Sequence, residues 1–267
     1  MLSLVLFIPV KSQTLKGELE NIFALGNEEI LKDYIGPMSE AFGANLGSAI
    51  YYNAESFNFP NFELGVSYLS TSVPKDGFTT DSTNNSTVFG PVLNDSSVTS
   101  GLNMDRFNIP VLQFSIGLGD NTNLLVRFTQ WKMNKVGTIR VIGGGIKYEL
   151  ENLLSITPIP LDIAVLAMYQ KYEIEDFLDG AVFNISLTAS KDFGIIPLQL
   201  YGGAGFLNNI TEVKDPASET DVAISISGLE EIRFQIGVNY SLLFLNFNVE
   251  YNFGRYQTVS GGLRIVL

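Results

Sequence analysis

Leu245-Asn246-Phe247-Asn248-Val249-Glu250-Tyr251-Asn252-Phe253 changes polarity at every step. Neighbouring side chains of a strand point to opposite faces, so this run describes a sheet with one oily face and one polar face. The segment before it repeats the pattern: Ile232, Phe234, Ile236, Val238 and Tyr240 face away from Arg233, Gln235, Gly237 and Asn239. After it, Val259, Leu263, Ile265 and Leu267 oppose Ser260, Gly262 and Arg264. Working back toward the amino terminus, period two holds to Phe62, where Phe62, Leu64, Val66 and Tyr68 oppose Glu63, Gly65 and Ser67. Ten such runs are legible between 62 and 267. No oily face among them carries a charge.

A soluble β-sandwich also alternates. Three features favour a closed barrel spanning a membrane. Aromatic residues recur near strand ends, at Tyr68, Tyr148, Tyr169, Phe206, Tyr240, Tyr251 and Phe253, where interfacial girdles lie. The opposite faces hold Gly, Ser, Asn, Gln and isolated charges, which suit a wet or plugged lumen. The final run reaches Leu267, as it can when a last strand pairs with a first. Composition agrees: charged residues are 16% and aromatics 12%, with no helix-length apolar run after the first residues. The fold expected is all-β, a transmembrane antiparallel up-and-down barrel of about ten strands with a short helical N-terminal plug. Twelve is the alternative count, with 44–53 and 219–227 as further strands.

Three regions follow. Residues 1–13 read as the remnant of a signal peptide, apolar from Leu2 to Val10 with a small residue at Ser12. Residues 14–61 form the plug or hatch, and 62–267 the barrel. Within the plug, Leu15, Leu19, Ile22, Phe23, Ile30, Leu31 and Tyr34 recur at helical spacing, and Asn27-Glu28-Glu29 is a helix start. Gly36-Pro37 is expected to end that region, leaving 43–54 rich in small residues and without a period. If the first strand runs outward, 72–108, 173–179 and 207–230 are extracellular loops, and the plug fills the lumen from the periplasmic side, with both termini in the periplasm.

Catalysis finds little footing. Histidine and cysteine are absent, which removes the usual general base, nucleophile and metal ligands. Gly143-Gly144-Gly145 lies within a strand and marks a close approach, not a phosphate loop. The acidic loop residues Asp76, Asp81, Asp95 and Asp105 lack calcium-loop spacing. No enzyme activity, cofactor or metal site is expected. A net charge of −12 argues against nucleic acid.

Eight charges project inward on the strand assignment: Glu63, Arg127, Lys147, Glu149, Asp162, Arg233, Glu250 and Arg264. Charges in a confined interior persist when paired or wet. They are read as an internal network tying wall to plug, or as a constriction orienting a solute.

Gly47-Ser48-Ala49-Ile50-Tyr51-Tyr52-Asn53-Ala54, followed by the strand from Phe62, resembles the hatch-to-first-strand passage of the FadL-like transporters of fatty acids and aromatic hydrocarbons. Ala54 stands where that family has proline. The resemblance makes Tyr51, Tyr52 and Asn53 hatch residues and implies passive uptake or binding of a small hydrophobic molecule through a plugged lumen. The layout as a whole, including Tyr34–Pro37 and Thr87-Val88-Phe89-Gly90, is similar to an uncharacterised family of Gram-negative outer-membrane barrels. Gly262–Leu267 resembles the barrel-insertion signal, which implies outer-membrane lipid and the insertion machinery as partners. The alternative function is a non-transporting structural or adhesion barrel acting through its extracellular loops.

Overall fold

The computed structural model describes residues 14–79, 86–92, 99–150, 161–194, 196–216 and 223–267. Two helices precede ten strands: α1 (Leu15–Leu25) and α2 (Glu28–Leu46), then β1 (Phe62–Ser72), β2 (Arg106–Gly119), β3 (Thr122–Met133), β4 (Gly137–Glu149) and β5 (Asp162–Ile174). The wall continues with β6 (Leu178–Asp192), β7 (Leu198–Lys214), β8 (Ala223–Leu242), β9 (Leu245–Phe253) and β10 (Thr258–Val266). Each strand pairs with its neighbours in sequence, and β1 pairs antiparallel with β10, closing the barrel. The expected ten-stranded closed barrel is what forms. Neither extra strand does: 44–46 belongs to α2, and Ala223–Ser227 is the start of β8.

The oily faces point outward. Leu64, Tyr68, Leu112, Phe128, Ile142, Ile232 and Val249 are each at least half exposed or close to it, while Glu63, Gln113, Arg127 and Asn248 behind them are buried. Tyr68, Tyr148, Tyr169, Phe206, Tyr240 and Phe253 stand exposed on the outer wall. Above the Tyr169, Phe183 and Phe206 level the same outward face turns charged, at Lys171, Glu173, Asp179 and Glu212. An apolar belt with aromatic edges and a charged collar is what a bilayer selects.

Inside, the wall divides in two. Toward the rim where β1 begins (the lower rim), inward positions are mostly polar, apart from Leu125, Leu166 and Met168, which form a small cluster with Ile50 and Tyr51. Toward the opposite, upper rim they are apolar: Leu69, Phe107, Ile109, Ile139, Val141 and Val182 are fully buried and form one core with the plug. The sequence pattern missed this because the oily residues change faces there: in Ile139-Arg140-Val141-Ile142 the inward positions are aliphatic while the outward face passes from Ile142 to the exposed Arg140.

Helix α1 starts at Thr14, whose hydroxyl accepts from Gly17 N, and ends at Gly26 in the left-handed region (φ 66°). Helix α2 starts at Asn27, whose side chain accepts from Glu29 N and Ile30 N. It does not stop at Pro37 as expected but runs on to Leu46. A proline inside a helix removes one backbone bond. The loss is offset by burying Tyr34, Ile35, Met38, Ala41 and Phe42 against the apolar wall. Phe42 stacks on Tyr172 (4.4 Å, 2°) and meets Phe107 edge-on (4.4 Å). Gly43 and Gly47 let α2 approach β7: a Cβ on Gly43 would lie 3.0 Å from Asn209 Cβ, and one on Gly47 would strike Leu207.

Two loop expectations need correction. The 207–230 stretch is mostly strand, since β7 runs to Lys214 and β8 begins at Ala223, with a register shift between Asn208 and Ile210. Inward Val213, Ile226 and Leu229 pack on the plug core, and that burial extends the hairpin. The described part of 73–105 folds over the plug instead of standing in solvent. Val88, Phe89 and Leu102 are buried, Val88 N donates to Tyr34 O (3.0 Å), and the Tyr34 hydroxyl donates to Ser100 O (3.2 Å). Residues 1–13, Asp81, Asp95 and the 151–159 connection lie outside the described residues.

The plug also runs opposite to expectation. Leu15 N donates to Lys135 O in the β3–β4 turn, so the first described residues sit at the upper rim. The chain then descends through the lumen to Phe62 at the lower rim. The two ends of the described chain therefore lie at opposite mouths. With no native cysteine, single-cysteine variants test this. In vesicles probed with an impermeant maleimide, Lys16→Cys should label from the same side as Asn134→Cys and from the opposite side to Leu243→Cys. Labelling of Lys16→Cys together with Leu243→Cys would refute the threading.

Candidate functional site

The last carbonyls of a helix have no partner within it and carry the negative end of its dipole. At the end of α2 the barrel wall supplies the partners. Arg127, on β3 and fully buried, donates to Leu46 O (3.2 Å) and Ser48 O (3.1 Å) and also to Ala49 O. Its Nε donates to Gln113 Oε1 (2.9 Å) on β2, and the Gln113 amide donates to Ile50 O (3.0 Å). Gln170 on β5 adds a second bond to Leu46 O (2.7 Å). Leu46–Ile50 is thus held by its backbone, from three strands.

Below this clasp the other inward charges meet the hatch. Arg264 (β10) pairs with Glu63 (β1) at 3.0 Å across the closing seam, both buried, and donates to Ala49 O (3.3 Å). The Tyr52 hydroxyl donates to Glu63 Oε2 (2.6 Å), and its ring lies under the Arg264 guanidinium (4.8 Å). Glu250 Oε1 accepts from Ala49 N (2.7 Å) and from the Asn252 amide (2.6 Å). Lys147 donates to Asn53 Oδ1 (3.3 Å) and to Glu55 O, and stands over the Tyr51 ring (4.7 Å). Glu149 accepts from Ser56 N (2.5 Å).

Six of the eight inward charges therefore converge on residues 46–56: Glu63, Arg127, Lys147, Glu149, Glu250 and Arg264. Asp162 opens β5 at the lower rim and is half-buried. Arg233 is buried elsewhere, near the upper rim, donating to Glu231 Oε1 (3.0 Å) and Tyr256 O (3.0 Å). Tyr51, Tyr52 and Asn53 all face this network. Sequence reasoning missed Gln113, Gln170 and Ser190, whose hydroxyl accepts from Ala54 N (2.9 Å). Inward parity was their only signal, and it does not separate a gripping amide from a solvated one. Asp76 joins Glu40 in flanking Arg255 at the upper mouth (3.4 and 2.9 Å). Gly143 and Gly145 face Gln170 and Met168, where any Cβ would crowd the neighbouring strand. Among the described residues no cluster suits a metal ion.

Glu55 stands apart. Burial, and then a hydrogen bond and charge repulsion from Asp192, push its carboxyl up to about 7. An acid that holds its proton more tightly in the folded chain than in the unfolded one favours folding at low pH. Glu55 therefore costs stability increasingly as pH rises from its ordinary range through about 7.

These features define a closed ten-stranded antiparallel barrel whose lumen is filled by its own N-terminal segment. The chain belongs to the family of unknown function DUF6588, whose model matches residues 1–267. Among curated proteins there is no match. Solved structures similar to it include the translocator domain of the autotransporter NalP from Neisseria meningitidis (11% identity, 90% of this chain and 96% of that one, TM-score 0.37). The N-terminal barrel domain of Pseudomonas aeruginosa OprF is another (13%, 56% and 99%, 0.31). The Ralstonia pickettii toluene transporter TbuX is a third (9%, 87% and 93%, 0.29).

The Glu63–Arg264 pair should dominate the stability of the lower half. Removing one partner of a buried ion pair costs about 3–5 kcal/mol, because the other charge stays buried alone. Glu63→Gln should lower the unfolding free energy by that order in urea titrations of the refolded barrel. Glu28→Gln, which breaks the exposed Glu28–Lys32 pair of α2 (3.6 Å), should cost at most about 0.5 kcal/mol. Equal effects would contradict this account of the network.

Proposed function

We propose that this protein is a Gram-negative outer-membrane barrel that admits a small hydrophobic molecule when the hatch, residues 47–58, is displaced. The apolar belt, its aromatic edges and the charged collar support residence in a bilayer. The longest connection, 73–105, lies at the upper rim and the two shortest, 120–121 and 243–244, at the lower one, with 150–161 the exception there, which supports an upper rim that faces outward. Arrival there would go through the barrel-insertion machinery, with Gly262–Leu267 as its signal.

One observation carries the transport reading: the wall holds the plug by two different kinds of force. Helix α2 is held by apolar packing, which has no substitute in water. The hatch is held by one small apolar contact, Ile50 and Tyr51 against Leu125, Leu166 and Met168, and by hydrogen bonds from wall side chains to its backbone, at the Ser48, Ala49, Ile50, Glu55 and Phe57 carbonyls. Water replaces such bonds at a net cost of about 1 kcal/mol each. The hatch therefore shifts without unpacking the helix above it. The apolar wall it would uncover, Leu125, Leu166 and Met168 behind Ile50 and Tyr51 and Leu207 beside Gly47, fits an oily solute better than an ion or sugar.

The chain's lack of cysteine allows a direct test. Ala54→Cys with Ser190→Cys places two thiols where Ala54 N and Ser190 Oγ are 2.9 Å apart. In liposomes loaded with a fatty-acid-binding fluorophore, the oxidised variant should take up oleate at the rate of protein-free vesicles. Reduction should restore the wild-type rate. Equal flux in the two states would remove the hatch from the path. No flux in any form would overturn transport in favour of a barrel that acts through its outer loops.

A further inference from the structure

We propose that a groove on the outer wall, where β5, β6 and β7 leave the apolar belt, seats the headgroup of a phospholipid that carries both a phosphate and an ammonium group. The groove has a volume of about 420 Å³. It is lined by Lys171 and Glu173 of β5, Asp179 and Ala181 of β6, and Ile210 and Glu212 of β7. The inference rests on the chain's residence in a bilayer and is independent of any transported solute.

Small side chains make the groove. On the outward face Ala181 stands between Lys171 and Ile210, and Asp179 stands between Glu173 and Glu212 in the row above. Neighbouring strands lie about 4.8 Å apart, so Lys171 and Ile210 are roughly 10 Å apart with only a methyl group between them. Beside Ala181 the floor is closed from within by the Tyr172 ring, which a Cβ on Gly180 would strike. The row below holds Tyr169, Phe183 and Asn208, and both aromatic rings are exposed. That row is the aromatic edge of the belt, so the groove lies at the depth of lipid headgroups.

The charges on its walls select the headgroup. Glu173 pairs with Arg140 (3.9 Å) and Asp179 with Lys214 (2.9 Å). Among the described residues Lys171 and Glu212 make no ion pair or hydrogen bond. One free cation and one free anion therefore stand on opposite walls. A phosphate alone would meet Lys171 and be repelled by Glu212, and an amine alone would do the reverse. A zwitterionic headgroup satisfies both walls. The order of the two charges fits as well: Glu212 stands one row further from the belt than Lys171. In a bilayer the phosphate, next to the glycerol, is the deeper group and the amine the outer one. The acyl chains would then descend over Phe183 and Ile185, both exposed.

Native mass spectrometry of the full-length barrel, released from neutral detergent, tests this with three probes at equal concentration: dioleoylphosphatidylethanolamine, dioleoylphosphatidylglycerol and dioleoylglycerol. The ethanolamine lipid should be retained about fivefold more than either of the others. Lys171 and Glu212 are exposed, so Lys171→Gln and Glu212→Gln should fold, as judged by circular dichroism, and each should lower that retention about threefold. Exchanging the charges, Lys171→Glu with Glu212→Lys, keeps the net charge, reverses its order and should abolish the preference. Equal retention of the glycerol phospholipid, or a preference that survives the exchange, would overturn the proposal. Refolding into vesicles separates it from the bilayer reading. A chain that stays outside the vesicles removes both, whereas one that inserts without a headgroup preference removes only the groove.

Discussion

A helix that ends inside a barrel must find hydrogen-bond donors for its last carbonyl and for the chain just beyond it, and here a single buried arginine serves three of those carbonyls. Arg127 reaches from β3 to Leu46, Ser48 and Ala49, where the dipole of α2 is most negative. An unpaired guanidinium in an apolar interior would be prohibitive. Set against a helix terminus and the Gln113 carbonyl, it is satisfied without a carboxylate at contact distance. Everything below it follows. Once Ala49 is fixed, Arg264 and Glu250 meet the same residue from other strands, and Glu63 is drawn to Arg264 and Tyr52.

The lumen is consequently built of two materials. The upper half is a hydrophobic core in the ordinary sense, with Tyr34, Met38 and Phe42 packed against an apolar wall under the Val88–Phe89 segment. The lower half is a polar network in which the plug contributes mainly backbone and the wall contributes side chains. A ten-stranded barrel has slightly more interior than its own side chains fill. The segment from Thr14 to Asn61 fills that difference.

The strands were legible because a bilayer imposes a rule on every second residue. Ile232-to-Tyr240 and Leu245-to-Phe253 admit one reading, and the outward exposure of Phe234 and Val249 agrees with it. The plug obeys no such rule. Gly36-Pro37 resembles a helix stop, and only the apolar wall around Ile35 and Met38 explains why α2 passes through it. Gly43 and Gly47 read as irregular chain, yet they are contact points against β7. The inward charges could be listed from parity. Their convergence on one strand of backbone could not, because the hatch carbonyls that collect them have no signature in side-chain type. Arg233 has the same parity as Arg264 and ends up at the other mouth, since distance along a strand, not face, decides what a side chain meets.

The plug is continuous with β1, and β1 is one side of the seam, where Phe62 and Leu267 exchange a reciprocal pair of backbone bonds (2.8 and 2.9 Å). The ring of strands therefore encircles a segment whose first described residues lie at the opposite opening. Such an arrangement fixes an order of events during biogenesis. The leading stretch must lie along the nascent sheet before the first and last strands zip together, because afterwards it would have to be pulled lengthwise through a space already occupied. The two helices of the plug must therefore be in place while that gap is still open.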